Sequence, residues 1–174
     1  MKLARQGNRA ATLAALLVLA TAHVTAVPWI GQRALAAQPA TAPAAQEERL
    51  ELVTASGVHA LDVEIASTPE KQALGLMYRT SLPDTKGMLF PHQKPAELSM
   101  WMRNTYIPLD MVFITADGTV HRIEARTEPF SERIISSNGP VAAVLEIAGG
   151  AAERMGLKPG DKVRHPHFGS APAN

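Results

Sequence analysis

One short segment strongly limits what this chain can fold into. Residues 111–114 read Met-Val-Phe-Ile and are apolar at every position, which is typical of a strand covered on both faces of a sheet. Asp117 and Gly118 follow shortly, flanked by apolar residues, and an Asp-Gly pair favours the tight turn of a β-hairpin. The sequence therefore predicts a buried strand, a turn and a return strand over residues 121–125.

Further strands are predicted on both sides of this hairpin. Residues 50–53 and 61–65 alternate apolar and polar side chains, with Ser56 and Gly57 as the turn between them. That pattern is typical of a second hairpin with one face in solvent. The remaining predicted strands lie at residues 88–90, 97–102 and 141–148, and in a last strand that includes Val163.

The predicted helices are few and short. Ser67 or Thr68 can cap a helix that runs to about Leu74, and Gly75 can end it. A second helix of one or two turns is expected over residues 151–155. These elements predict a single α+β domain of mainly antiparallel sheet with one or two short helices, and such a sheet can curl into a partial barrel.

The N-terminal region has the layout of an export signal. Residues 1–36 carry four basic residues and no acidic one, and a mostly apolar run precedes an Ala-Leu-Ala sequence at residues 34–36. We predict a signal peptide over residues 1–36 and a periplasmic or secreted domain. An uncleaved inner-membrane anchor, with the domain outside the cytoplasm, is the alternative. The other predicted parts are a flexible Ala/Pro-rich linker (residues 37–49), the domain (50–168) and a loose tail (169–174).

Charge and cysteine content exclude some classes of function. Removal of residues 1–36 leaves 13 basic and 16 acidic residues, a net charge of −3. A nucleic-acid partner is not expected, because phosphate binding needs a basic patch. The chain has no cysteine, so it has no disulfide and no thiol nucleophile. The oligomeric state is left open.

Five ordered motifs in this sequence resemble a known family. They are GLMYR at residues 75–79, GMLF at 87–90, WMRNT at 101–105, IPLD at 107–110 and LEIAGG at 145–150. In this order they are similar to the bacterial and archaeal domain-of-unknown-function 192 family. The resemblance implies a compact, β-rich α+β domain that is often exported. It implies no established reaction, cofactor or partner, and it transfers no catalytic residue.

The candidate site centres on a segment with polar and aromatic side chains between two apolar runs. As a strand, this segment places Trp101 and Arg103 on the face opposite Met100 and Met102. A converging aromatic ring, cation and hydrogen-bonding groups would bind a small polar ligand or a partner protein without catalysis. The candidate ligand-binding residues are Trp101, Arg103, Asn104, Asp110, Arg79 and Glu146.

Structural roles for the same residues are the alternative. Asn104 would then cap a turn, Asp110 would accept backbone N–H groups, and Arg103 or Arg79 would pair with Glu146, since buried charges are normally paired.

Two further hypotheses involve specific chemistry. Asp110 and Glu146 could act as the paired acid and base of a hydrolase-like enzyme. Separately, several methionines near His92 suit Cu(I), although methionine ordinarily fills gaps in a core. These methionines are Met77, Met88, Met100, Met102 and Met111. No other metal and no organic cofactor is expected.

Overall fold

Both predicted hairpins are present, and they belong to one seven-stranded sheet. The computed structural model of the protein describes residues 47–172. The elements are β1 (Glu47–Thr54), β2 (Gly57–Ile65), α1 (Pro69–Leu74), β3 (Lys86–Met100), β4 (Leu109–Ile114), β5 (Val120–Glu124), β6 (Ile135–Ala148), α2 (Ala151–Arg154), β7 (Lys162–Arg164) and a 3-10 turn (Pro166–Phe168). The strand order across the sheet is β5-β4-β6-β3-β2-β1-β7.

The predicted buried strand is β4, and it lies between β5 and β6. All six of its residues are buried, which confirms that both faces of this strand are covered. The first short helix is also where the sequence places it. Thr68 is the cap, its hydroxyl accepting the backbone N–H of Lys71 at 3.3 Å, and Gly75 follows the last turn.

The sheet is mainly antiparallel, as predicted, but it also contains one parallel pair of strands. β2 and β3 run parallel, with Asp62 opposite Lys86 and Ile65 opposite Leu89. A parallel pair needs a long crossover, and the segment that contains α1 supplies it. The other strand pairs are antiparallel, so the fold is a mixed, mostly β sheet with two short helices.

β3 joins the two strands predicted at residues 88–90 and 97–102, with Pro91 and Pro95 between them. Its pairing with β2 ends at Leu89, so beyond that residue one edge of β3 has no neighbouring strand among residues 47–172. Proline lacks a backbone N–H and is tolerated at such an edge. On its other edge β3 continues along β6 through two irregularities in register. The strand ends at Met100, before the predicted Met102.

The sheet curls into a half-barrel because its two ends meet beside the β4–β5 turn. Thr119 forms a bridge with Lys162 of β7, and the backbone N–H of Val163 donates to the Gly118 carbonyl at 2.8 Å. A Cβ on Gly118 would lie 2.6 Å from the Val163 carbonyl oxygen, so only glycine permits this approach.

Each face of the sheet carries an apolar cluster. On the face that packs on α2, which we call the α2 face, the cluster includes Leu89, Val112 and Leu145. On the opposite face, which we call the α1 face, it includes Phe90 and Met111, together with residues on either side of α1. The functional features described below lie on the α1 face.

The described residues all fall in one compact unit. β1 starts at Glu47, inside the predicted linker and before the predicted domain start at Leu50. The predicted signal peptide and the rest of the linker lie outside the described residues. In the predicted tail, Ser170 pairs with His165. Across residues 47–172, none of the helices has the length and apolar character required to cross a membrane.

Candidate functional site

A cavity of about 240 Å³ opens on the α1 face. The end of α1 and the chain that follows it form one wall, over residues 72–77. β3 contributes Phe90, His92 and Ser99, Trp101 stands beside them, and Glu146 reaches in from β6. The cavity is mainly apolar, with a few polar groups that point into it, which is the usual composition of a small-ligand site.

Glu146 is the most unusual residue in this cavity. It lies on the central strand β6 between Met88 of β3 and Met111 of β4, and it is only 4% exposed. Within residues 47–172, its carboxyl group has no hydrogen-bond or ion-pair partner. A buried polar group without a partner is costly, so such groups are rare in folded proteins.

Burial changes the protonation of Glu146. It raises the pKa of this carboxyl group to about 8, because desolvation penalises the charged form and no neighbouring charge opposes it. The side chain is therefore mostly a neutral acid at neutral pH. A group of this kind can donate a hydrogen bond to a ligand, or it can ionise when a ligand brings a positive charge.

Gly75 lets the chain pass closely over this carboxyl group. Its φ is +49°, and a Cβ there would lie 3.3 Å from the Phe90 ring and 3.9 Å from a Glu146 carboxylate oxygen. Glycine therefore both ends α1 and closes one side of the cavity. Gly75 and Phe90 are site residues that our sequence analysis did not single out, although each stands in a family-like motif.

Trp101 marks the exposed side of the cavity. The chain leaves β3 at Met100, yet the predicted alternation persists: Trp101 is 42% exposed and Met102 is fully buried. The Met102 backbone N–H donates to the Ser131 carbonyl, and this bond holds the segment in place beyond the strand. The indole ring can therefore contact both solvent and a bound molecule.

Arg103 and Arg79 do not pair with Glu146, contrary to the structural alternative. Arg103 lies over the Trp101 ring at 5.9 Å, and its Nε is 3.0 Å from a Glu132 carboxylate oxygen. Arg79 holds both carboxylate oxygens of Glu64, at 2.5 and 2.8 Å. Arg79 lines a neighbouring cavity, and Arg103 lines neither cavity.

Asp110 and Asn104 have structural partners. The Asp110 carboxylate accepts the backbone N–H groups of Arg126, Gly150 and Ala152 at 2.7 to 2.9 Å, and it is fully buried. Asn104 has a φ of +55°, and its carbonyl oxygen accepts the Tyr78 N–H at 2.9 Å. These two residues stabilise turns, as the structural alternative predicts.

The hydrolase hypothesis needs Asp110 and Glu146 side by side, and the sheet separates them. Asp110 is opposite Ile147, whereas Glu146 is opposite Met111. Side chains of successive residues on a strand point to opposite faces, so these two carboxyl groups project from opposite sides of the sheet. They do not form an acid–base pair.

The methionines divide into two groups. Met77 and Met100 line the cavity together with His92. Met88, Met102 and Met111 belong to the core, and the Met102 sulfur accepts a hydrogen bond from the Thr127 hydroxyl. Burial lowers the pKa of His92, with a further contribution from nearby His167. Within residues 47–172, no cluster of three or more His, Cys, Asp or Glu side chains could hold a metal ion.

Three exposed aromatic side chains form a row on the loops next to the cavity. Tyr106 lies 5.9 Å from Tyr78 and 5.2 Å from Phe130, measured between ring centroids. Tyr78 and Phe130 both have positive φ angles, which is uncommon for bulky residues. Single-residue patterns in the sequence do not predict this row, because it forms where three separate loops meet.

The fold and the cavity together define a small, β-rich half-barrel domain with an apolar pocket built around a buried acid. The chain belongs to the DUF192 family, described as "Uncharacterized ACR", whose family model matches residues 51–165. The comparison with curated proteins gives no match.

Two solved structures are similar to this chain. One, described as a "putative transcription regulator" from Sinorhizobium meliloti 1021, is 46% identical with a TM-score of 0.68, over 70% of this chain and 95% of that one. The other is a protein of unknown function from Novosphingobium aromaticivorans DSM 12444. It is 45% identical with a TM-score of 0.68, over 75% of this chain and 94% of that one.

Proposed function

We propose that this domain binds a small molecule, with an apolar body and one polar group, in the cavity between Trp101 and Glu146. The observation that carries this proposal is the unpartnered, buried carboxyl group of Glu146. A ligand would supply the hydrogen-bond or ion-pair partner that this carboxyl group lacks among residues 47–172. Strongly perturbed acids in clefts are typical of functional sites.

The size of the cavity limits the ligand. A volume of about 240 Å³ is below the roughly 300–1,000 Å³ of sites for drug-sized molecules, so the ligand is small. Trp101 keeps the binding role predicted for it, and Glu146 supplies the polar contact. Arg103 is not part of the proposed site, because it faces Glu132 and does not line the cavity.

The proposal is tested by a fragment screen that compares wild type with a blocked cavity. Saturation-transfer NMR would follow small amines, sugars, amino acids, carboxylates and cell-wall peptides. Ser99 is exposed and lines the cavity, so Ser99→Phe places an aromatic ring in the cavity opening. Phenylalanine is also a residue type that β-strands favour. We expect fragments that bind wild type and lose binding in Ser99→Phe.

Gln93→Phe is the matched control, because Gln93 is exposed on the same strand and does not line the cavity. Fragments that bind wild type should bind this variant equally well. A screen in which no fragment distinguishes wild type from Ser99→Phe contradicts the proposed function.

Cu(I) is a second candidate occupant, because Met77, Met100 and His92 line the same cavity. Thioether sulfur and imidazole are both suitable ligands for this ion. Native mass spectrometry after Cu(I) loading tests it: one bound ion that Met77→Leu with Met100→Leu removes would support copper. A spectrum without bound copper, or copper that persists in the double variant, would contradict it. Met88→Leu is the control.

We also propose that the domain acts outside the cytoplasm, on the basis of the export-like sequence of residues 1–36. A nucleic-acid role is not proposed. The domain that follows that segment carries a net charge of −3, which disfavours phosphate binding. The regulator description of the Sinorhizobium meliloti relative is therefore not extended to this chain.

A further inference from the structure

We propose that the ligand of this cavity is a small organic cation, a protonated amine or a quaternary ammonium, whose positive charge is bound by the Glu146 carboxylate. This inference rests on the proposed function and names the class of molecule that the site accepts. Trp101 and Phe90 would contact the carbon groups around the charge.

The charges around the cavity favour a cation over an anion. Arg79 is bound to both oxygens of Glu64 and lines the neighbouring cavity, as does Lys71. His92 lines the Glu146 cavity, but burial lowers its pKa, which disfavours the charged form of its imidazole. An anionic ligand would therefore meet an acid and no cation among the described lining residues.

The walls of the cavity also suit a cation. The Phe90 ring attracts positive charge to its face, as does the Trp101 ring, over which the Arg103 guanidinium already lies at 5.9 Å, and such contacts strengthen when water is excluded. Some of the hydrogen-bond donors that line the cavity already have a protein acceptor. The Gln72 side-chain amide, for example, donates to the Pro91 carbonyl at 3.3 Å.

Binding would move one proton. In the empty site, Glu146 is mostly protonated at neutral pH. When a quaternary ammonium ion enters, Glu146 releases its proton to solvent and the resulting carboxylate pairs with the ligand. The O–H bond of the Glu146 acid breaks, its electron pair stays on the carboxylate, and buffer takes up the proton, so the proton released balances the charge brought in by the ligand.

Comparing the binding of choline with that of its uncharged isostere 3,3-dimethylbutan-1-ol distinguishes the effect of ligand charge from the effect of ligand shape. The test uses the full chain carrying Trp29→Phe, so that Trp101 is the only tryptophan, and follows its fluorescence. Sodium chloride at equal ionic strength is the control for salt. We expect choline to bind at least about tenfold more tightly than the isostere.

Glu146→Gln keeps the shape of the side chain and removes its ability to ionise. In this variant we expect choline to lose its advantage over the isostere. Calorimetry in two buffers of different ionisation enthalpy provides a readout that needs no variant of Glu146. In the protein that retains Glu146, each choline that binds at pH 7 should release most of one proton.

Each outcome decides the inference. Equal binding of choline and the isostere, unchanged choline binding in Glu146→Gln, or no proton release overturns the cation class. If the isostere binds but choline does not, and Ser99→Phe prevents that binding, the cation class is overturned and the proposed function is supported. If neither probe changes the fluorescence of Trp101, the cation class is overturned. The fragment screen then decides the proposed function separately.

Discussion

Asp110 and Glu146 lie on neighbouring strands, one residue out of register, so their carboxyl groups project from opposite faces of the sheet. The two acids consequently have different environments. Asp110 is surrounded by backbone N–H groups at the start of α2, whereas Glu146 faces an apolar cavity and has no hydrogen-bond or ion-pair partner among residues 47–172. We infer that the first stabilises the fold and the second serves function.

Replacing Asp110 should destabilise the protein strongly. Asp110→Ala leaves three backbone N–H groups buried without an acceptor, and we expect a loss of about 3 kcal/mol or more in the free energy of unfolding. Urea denaturation measures this loss. Glu132→Gln, at an exposed ion pair, is the control and should change stability by less than about 0.5 kcal/mol. Equal stability of the two variants would contradict the structural role of Asp110.

Glu146 should make stability depend on pH between about 4.5 and 8. Its pKa is higher in the folded protein, about 8 against an ordinary value of 4.5, so the folded state holds the proton over this interval while the unfolded state has released it. Stability therefore falls as pH rises, by up to about 1.4 kcal/mol per pH unit from this group, and the loss levels off above pH 8.

Urea denaturation across this pH range measures the effect. The Glu146→Gln variant is the comparison, because glutamine does not titrate and every other group is unchanged. The free energy of unfolding of wild type should fall relative to that of Glu146→Gln as pH rises. A difference that stays constant with pH would show that Glu146 does not titrate in this way.

Glu146→Leu should stabilise the protein and remove binding of any ligand that needs the acid. Replacing a buried unpartnered acid with an apolar side chain of similar size removes a desolvation cost, and we expect a gain of about 1–3 kcal/mol at pH 8. Thermal unfolding measures it. Met88→Leu, opposite Glu146 on β3, is the control and should cost less than about 1.5 kcal/mol. A clear loss of stability in Glu146→Leu would contradict the account.

Trp101 and Arg103 should differ in their effect on choline binding. We expect Trp101→Ala to weaken it at least about fivefold, because the ring lines the cavity, and Arg103→Ala to change it by less than about twofold. Isothermal titration calorimetry measures both. Tyr106→Ala is the control, since this ring is 44% exposed and lies outside the cavity. Equal losses in Trp101→Ala and Tyr106→Ala would exclude a specific role for Trp101.

Asn104 should be required for its backbone conformation rather than for binding. With φ at +55°, Asn104→Gly should change stability by less than about 0.5 kcal/mol, whereas Asn104→Val should cost about 2 kcal/mol, because β-branched residues rarely adopt this conformation. Denaturant unfolding separates the two variants. Equal stability of the Gly and Val variants would show that this angle is not a constraint.

Local signals were sufficient to predict much of the fold. The Asp117-Gly118 hairpin, the buried strand β4 and the helix between Thr68 and Gly75 each depend on residues close together in sequence. The parallel pairing of β2 with β3 depends instead on the path of a crossover, and alternation alone does not distinguish parallel from antiparallel neighbours. The strands predicted at residues 88–90 and 97–102 form the single strand β3, because the free edge that accommodates its prolines is a property of the whole sheet.

The site was predictable only in part, for a similar reason. Glu146 was notable in the sequence as an acid within an apolar strand, and Trp101 as an aromatic residue within an alternating segment. Asp110 projects from the face opposite Glu146 because of the register between β4 and β6, and a shift of one residue would have placed both acids on one face. The partners of Arg79 and Arg103 likewise come from distant segments.

The most direct test is a titration of the Glu146 side chain itself, by the ¹³C chemical shift of its carboxyl carbon. Without ligand we predict a pKa of about 8, and in the presence of saturating choline a pKa well below that value. An ordinary glutamate pKa in the free protein would contradict the buried, unpartnered acid on which the account depends. An elevated pKa that choline leaves unchanged would contradict the binding of a cation at this site.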